Sequence, residues 1–112
     1  MKKEPQVYLL HIMHSIQTIE KYLDGVSKEE FLASEEKQDL ITRRLEIIGE
    51  ATRQIPDAFK QEHLETPWRD IGDMRNVLIH VYFDIDYTIV WDTATNWLPK
   101  LKKQIAALIT SK

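Results

Sequence analysis

The stretch ITRRLEIIGEATRQIP, residues 41–56, carries a helical pattern over its whole length. Its apolar side chains recur at spacings of three and four, so they form one stripe along an α-helix. Pro56 ends the stripe, because proline has no N–H for the next helical hydrogen bond. The stripe consists of Ile41, Leu45, Ile48, Ala51 and Ile55.

The chain before this stretch predicts one long helix and one short helix. The long helix ends at Gly25, since glycine readily adopts the left-handed conformation that terminates helices. Ser27 and Glu30 have the spacing of a capping box and open a short helical turn. The next helix then follows Ser34. The apolar stripe of the first helix is Leu9, Ile12, Ile16, Ile19 and Leu23.

The chain after Pro56 predicts a short helix or turn over residues 57–65 and then two longer helices. Thr66 and Pro67 supply the N-cap and the first-turn proline of the first of these. Asp86 caps the last helix, which Pro99 should kink. The two apolar stripes are Ile71, Met74, Leu78 and Val81, and then Ile89, Val90, Trp97, Leu101, Ile105 and Leu108.

Together these segments predict an all-α fold. Every long segment has the helical period, the connections are short, and the 112 residues contain no internal repeat and no linker. We therefore expect a single domain over residues 1–112. Its architecture should be a four-helix up-and-down bundle with one or two short extra helices.

The composition, 43% hydrophobic and 29% charged, is that of an ordinary globular protein. The absence of cysteine excludes disulfides and thiolate metal sites. His11 and His14 lack the paired Glu-x-x-His motifs of a metal site in a helical bundle, so we expect no metal and no other cofactor. The N-terminal segment has no long apolar run, so we expect a cytoplasmic protein without a membrane partner. A net charge of −3 means that an RNA substrate would need a local basic cluster.

The segment RNVLIHVY, residues 75–82, places chemically capable side chains in an otherwise apolar helix. At about 100° per residue, Asn76 and His80 share a face, whereas Arg75 and His80 lie roughly 140° apart. One helix therefore cannot easily aim Arg75 and His80 at one atom. A two-fold homodimer solves this, because both copies of the pair can line one cleft.

Such a cleft suits metal-free RNA cleavage. His80 can exchange a proton near neutral pH, and Arg75 presents a planar fork of donors to phosphate oxygens. Asn76 has a supporting role, orienting either the histidine or the phosphate. Without further context, an arginine and a histidine in an apolar helix are more often structural partners than catalysts, so both interpretations stay open at this point.

The segment resembles the R-x4-H-x-Y signature of HepT-type toxins in the HEPN superfamily. The resemblance continues through RRLEIIGEATRQIP and TPWRDIGDMRN upstream and FDIDYTIVWDTATNWLPKLKKQI downstream, and covers roughly residues 5–110. Val81 stands where many relatives have glycine. The resemblance implies a dimeric HEPN-like bundle and a ribonuclease toxin with Arg75 and His80 as its catalytic residues.

The resemblance also implies a partner. In a type VII toxin-antitoxin system, an MntA-type nucleotidyltransferase is the antitoxin and adds AMP to the motif tyrosine, here Tyr82. An unmodified Tyr82 could instead contact RNA, or could be an ordinary tyrosine at a helix end. The alternative function is a noncatalytic helical module that binds a nucleotidyltransferase and its substrate.

A second set of polar residues, Arg43, Glu46, Glu50 and Arg53, follows one face of the helix over residues 41–56. Their spacing of three and four residues favours a solvated stripe of ion pairs. The functional alternative is that this stripe lines the dimer cleft and orients Arg75, with Gly49 permitting the close approach of another helix.

Overall fold

The computed structural model describes residues 4–74 and 85–109, and every long element in them is an α-helix. The described residues contain no β-strand, so the predicted all-α fold is confirmed. The helices are α1 (Pro5–Leu23), α2 (Lys28–Leu32), α3 (Glu35–Gln54), α4 (Asp57–Gln61), α5 (Trp68–Gly72), α6 (Tyr87–Asp92) and α7 (Leu98–Leu108), with a π-helical turn at Thr93–Trp97 between the last two.

The core lies between α1, α3 and the C-terminal helix formed by α6, the π-helical turn and α7. The predicted stripes of α1 and α3 point into it, and almost all of their members are fully buried. The side-chain amide of Gln6 donates to the carbonyl of Leu108, while Lys102 pairs with Glu20 at 2.9 Å. The start of α1 thus meets the end of α7, so these two helices run in opposite directions.

The connection between α1 and α3 follows the predicted capping signals. Gly25 has a φ of 73°, in the left-handed region that glycine adopts without strain. The hydroxyl of Ser27 accepts from the N–H of Glu30, and the Glu30 carboxylate accepts from the N–H of Ser27. This backbone hydrogen bond favours the charged carboxylate and lowers the pKa of Glu30.

The last helix begins as predicted, because the Asp86 carboxylate accepts from the N–H groups of Thr88 and Ile89. A kink was predicted at Pro99, and the structure has a π-helical turn just before this residue. There the N–H of Leu98 donates to the carbonyl of Thr93, five residues back. The wider turn fits a proline in the next position, since its ring clashes with an ordinary helical turn.

The start of α5 differs from the prediction by one residue. Pro67, not Thr66, is the N-cap, and Thr66 makes no capping hydrogen bond. The N–H of Trp68 donates instead to the backbone carbonyl of Thr66, at 2.8 Å, and this tight turn leaves the threonine hydroxyl buried without a partner.

The end of α5 also differs from the prediction, which had one unbroken helix after Pro67. The helix stops at Gly72, and Asp73 has a φ of −92° and a ψ of 10°, typical of a turn. Ile71 and Met74 of the predicted stripe are buried. Leu78 and Val81 lie outside the described residues.

No described helix has the length and apolarity to cross a membrane.

We expect Phe31 to be the residue through which α2 is held to the rest of the fold. Its side chain is fully buried, and its ring lies 5.5 Å from that of Trp91 and 6.5 Å from that of Tyr87. Phe31→Ala should lower the free energy of unfolding in urea by about 3–5 kcal/mol. The control Leu32→Ala, at a neighbouring side chain that is 41% exposed, should cost about 0.5 kcal/mol or less. Equal losses would contradict this assignment.

Candidate functional site

The predicted polar stripe of α3 lines a small surface pocket. Arg43, Glu46, Glu50 and Arg53 surround about 110 Å³ together with Gly49 and Gly72. Arg43, Glu50 and Arg53 are exposed, and Glu46 is half-buried. The prediction that these four side chains share a face is therefore confirmed.

Gly49 brings the backbone of α5 against α3. A Cβ atom at this position would lie 3.3 Å from the carbonyl oxygen of Ile71 and 3.4 Å from that of Gly72. Most side chains could not accept such short contacts with backbone atoms. The predicted role of Gly49 in close helix approach is confirmed, and the helix that approaches is α5.

Arg53 lies over the end of α5. Its Nη1 is 3.6 Å from Oε1 of Glu50, and its Nη2 is 3.8 Å from Oδ1 of Asp73. A Cβ added to Gly72 would lie 3.5 Å from the Cγ of Arg53. Both ion pairs are long, and their side chains are between 45% and 67% exposed. Such pairs contribute little stability, so the guanidinium can exchange its partners for an anion at small cost.

The stripe thus contains an ion pair, between Glu50 and Arg53, and forms the wall of a pocket. The pairing of Arg53 with Glu50 agrees with the ion-pair interpretation, since the two lie three residues apart on α3. Asp73 is a partner that the sequence pattern did not reveal, because it comes from the turn after α5, twenty residues further along the chain.

The residues of the predicted catalytic motif, Arg75, Asn76, His80 and Tyr82, lie outside the described residues. The structure does describe the chain that leads to them. Met74 is 2% exposed and belongs to the core, and Asp73 faces Arg53. Asp73 thus reaches α3 through Arg53 just before the motif begins.

A larger groove continues from this pocket, sharing Arg53 and Gly72 with it. The groove has a volume of about 500 Å³ and lies between the end of α3, α4 and α5. Leu64, Thr66 and Trp68 are among its lining residues. The groove was not predicted from the sequence. The signal for it was Leu64, an isolated apolar residue in an otherwise polar connection.

The remaining histidines lie elsewhere. His11 and His14 are exposed and border a separate pocket with Arg44. His63 lies beside Glu65, and its ring contacts that of Phe59 at 4.5 Å. Residues 4–74 and 85–109 contain no group of three or more side chains arranged to hold a metal ion.

Comparison with known families decides the class of the protein. The model of the family described as "Ribonuclease HepT-like" matches residues 12–108. The chain belongs to this family. The predicted family and the predicted enzyme class, ribonuclease, are confirmed.

Curated relatives agree with the assignment of this HepT-like chain. A protein of Thermococcus cleftensis named as ribonuclease HepT is 40% identical over 108 residues, covering 96% of this chain and 98% of the relative. A protein named as an RNase in Caldanaerobacter subterraneus is 36% identical over 107 residues, 96% of each chain.

A third relative is longer than this chain. It comes from Methanocaldococcus jannaschii, is named as a gamma-glutamylcyclotransferase and RNase, and is 37% identical over 109 residues. The match covers 97% of the HepT-like chain but only 49% of that relative. No solved structure matches the chain significantly.

We expect Gly49→Val to be destabilising although valine is a better helix former than glycine. The added side chain meets two backbone carbonyls, so α5 must move, at a cost of about 1–3 kcal/mol in the free energy of unfolding. Gly72→Ala is the control, because its Cβ meets only the flexible side chain of Arg53. Urea unfolding of both variants measures the difference. A Gly49→Val protein as stable as the parent would show that the helices can separate freely.

Proposed function

We propose that this chain is the toxin of a HepT/MntA-type, type VII toxin-antitoxin system: a metal-independent endoribonuclease that acts in the cytoplasm on cellular RNA, either transfer or messenger RNA. The observation that carries the proposal is the family match over residues 12–108, which includes the complete R-x4-H-x-Y pattern at Arg75, His80 and Tyr82. The RNase names of relatives that match nearly the whole chain support the same activity.

The proposed reaction is an attack of an RNA 2′-hydroxyl on the neighbouring phosphate. His80 takes the proton of the hydroxyl, the O2′–P bond forms, and the P–O5′ bond breaks. Arg75 holds the phosphate oxygens and stabilises the additional negative charge of the transition state. The products are a 2′,3′-cyclic phosphate and a 5′-hydroxyl, and the protonated His80 returns its proton to the departing 5′-oxygen.

The described residues support this reaction through the pocket on α3. Asp73, two residues before Arg75 in the sequence, is held beside Arg53. Arg43 and Arg53 supply positive charge at the pocket, so they can attract the RNA backbone locally even though the chain is acidic overall. Glu46 and Glu50 of the same pocket orient these cations, and Asn76 assists His80 or the phosphate.

Arg75→Ala and His80→Ala should each abolish toxicity and RNA cleavage. Loss of the proton-transfer group should reduce the cleavage rate by about 10² to 10⁴, and loss of the phosphate clamp by about 10² to 10³. Arg44→Ala and His11→Ala, which remove the same residue types from a separate surface, should retain activity. Cleavage of a labelled RNA in excess EDTA measures the rates. Activity lost in EDTA and restored by Mg²⁺ would contradict the mechanism.

The same two variants test the composite cleft. Each inactive homodimer retains one member of the catalytic pair. Unfolding and refolding a mixture of Arg75→Ala and His80→Ala should restore partial activity, because mixed dimers contain an intact Arg75 on one chain and an intact His80 on the other. If light scattering gives a monomer mass, or if the mixture stays inactive, the two residues do not meet across a dimer.

We further propose that the antitoxin is an MntA-type nucleotidyltransferase that adds AMP to Tyr82. Each added AMP brings a phosphate charge and considerable bulk to a residue two positions from His80. Negative charge beside a cleft that must receive an RNA phosphate would repel the substrate.

Tyr82→Phe should prevent this modification, because it removes the hydroxyl that receives AMP and keeps the ring. Coexpression with the nucleotidyltransferase should raise the intact mass of the parent chain by one or more AMP units and leave the mass of Tyr82→Phe unchanged. Tyr87→Phe is the matched control and should still be modified. An adduct that persists on Tyr82→Phe would place the modification elsewhere.

A further inference from the structure

The groove beside α5 combines features that the proposed cleavage does not use. It holds about 500 Å³ and opens to solvent. This volume lies within the range of pockets that accept small organic groups. Because the groove shares Arg53 and Gly72 with the pocket on α3, one strand of RNA can contact both.

One side of the groove is apolar. Leu64 is 70% exposed, the most exposed large apolar side chain among the described residues. Pro67 and Trp68 continue this surface inward. The indole N–H of Trp68 already donates to the carbonyl of His63, at 2.9 Å, so the ring is fixed in place. A fixed apolar wall of this kind suits the face of a planar base.

The other side of the groove carries both positively and negatively charged side chains. Lys60 and Arg69 line it and form no ion pair with any described residue. Asp57 and Asp70 also line it and are likewise unpaired within the described part of the chain. The cations can hold a phosphate, but the carboxylates would repel one. Carboxylates at such a site instead accept hydrogen bonds from amino groups of a base.

Thr66 supplies an independent indication of a ligand. The residue is 3% exposed, and its buried hydroxyl has no hydrogen-bond partner. An unsatisfied buried hydroxyl costs free energy, which a hydrogen bond to a ligand would recover. Thr66 lines the groove, so a polar edge of a base could provide the missing partner after a rotation of the threonine side chain.

We infer that the groove is a subsite for one unpaired nucleobase that carries an exocyclic amino group, in the RNA that the protein cleaves. The inference rests on the proposed ribonuclease function for its substrate class. The base lies against Leu64 and Pro67, beside the small exposed part of Trp68, and Asp57 and Asp70 accept from its amino group. Arg53, at the junction with the α3 pocket, holds a phosphate adjoining this base.

Binding of mononucleotides tests the subsite without requiring cleavage. Cytidine and uridine 5′-monophosphates differ at one position of the base, where cytosine has an amino group and uracil a carbonyl. Titration of each into the complete protein, followed through the NMR signal of the Trp68 indole N–H, should give about tenfold tighter binding of the cytidine nucleotide. The double variant Asp57→Asn/Asp70→Asn should remove this preference.

Two further variants separate the apolar and polar walls. Leu64→Ser should weaken both nucleotides equally, whereas Leu10→Ser, at an exposed leucine of α1, should change neither affinity. Thr66→Val should weaken the cytidine nucleotide without lowering the melting temperature, because it removes an unsatisfied hydroxyl at nearly constant shape.

The inference is overturned if the Trp68 signal responds to neither nucleotide at millimolar concentration, or if both nucleotides bind equally well. A protein that cleaves RNA but shows no such preference retains the proposed function and loses the subsite. A protein that binds the cytidine nucleotide selectively but never cleaves RNA retains the subsite and loses the proposed function.

Discussion

The backbone contact at Gly49 is the constraint on which the functional side of this protein depends. On α3 the apolar stripe faces the core and the polar stripe faces solvent, and Gly49 is buried between them. The carbonyls of Ile71 and Gly72 lie where a side chain of residue 49 would be. Helix α5 is thereby held at a fixed depth against α3, and the chain enters the motif from a defined position.

This contact also determines how charge is distributed at the candidate site. Because α5 ends against α3, Asp73 comes within reach of Arg53, and Arg53 becomes the boundary between a small pocket and a larger groove. The ion pairs of Arg53 are long and solvated, so they position the guanidinium without immobilising it. A protein with a net charge of −3 can then present positive charge to an anionic substrate at one place.

The core and the candidate site use different parts of the same helices. The fully buried residues of α1, α3 and α7 form a continuous apolar interior, which tolerates little change in volume. The pocket lies outside it, on the polar face of α3, and the groove runs along the short helices α4 and α5, where Trp68 is the core residue that reaches it. Substitutions in the groove can therefore alter binding while the bundle stays folded.

The sequence by itself determined the helical class, the buried stripes and most helix ends. The ends at Gly25, Ser27 and Asp86 depend on hydrogen bonds or backbone preferences within about four residues, which a local pattern contains. The family signature, too, was readable from the residues alone. The residues that carry this signature lie within residues 75–84, outside the described part of the chain.

Only the tertiary structure decided where α5 begins and ends and what surrounds it. Threonine is a common N-cap residue, yet the turn that places Trp68 in the core leaves the hydroxyl of Thr66 without a capping partner. Helix α5 breaks at Asp73. The pairing of Asp73 with Arg53 and the groove along α4 each bring together residues from separate parts of the chain. Such contacts depend on how closely two backbones pack, and a periodic pattern within one helix does not contain that distance.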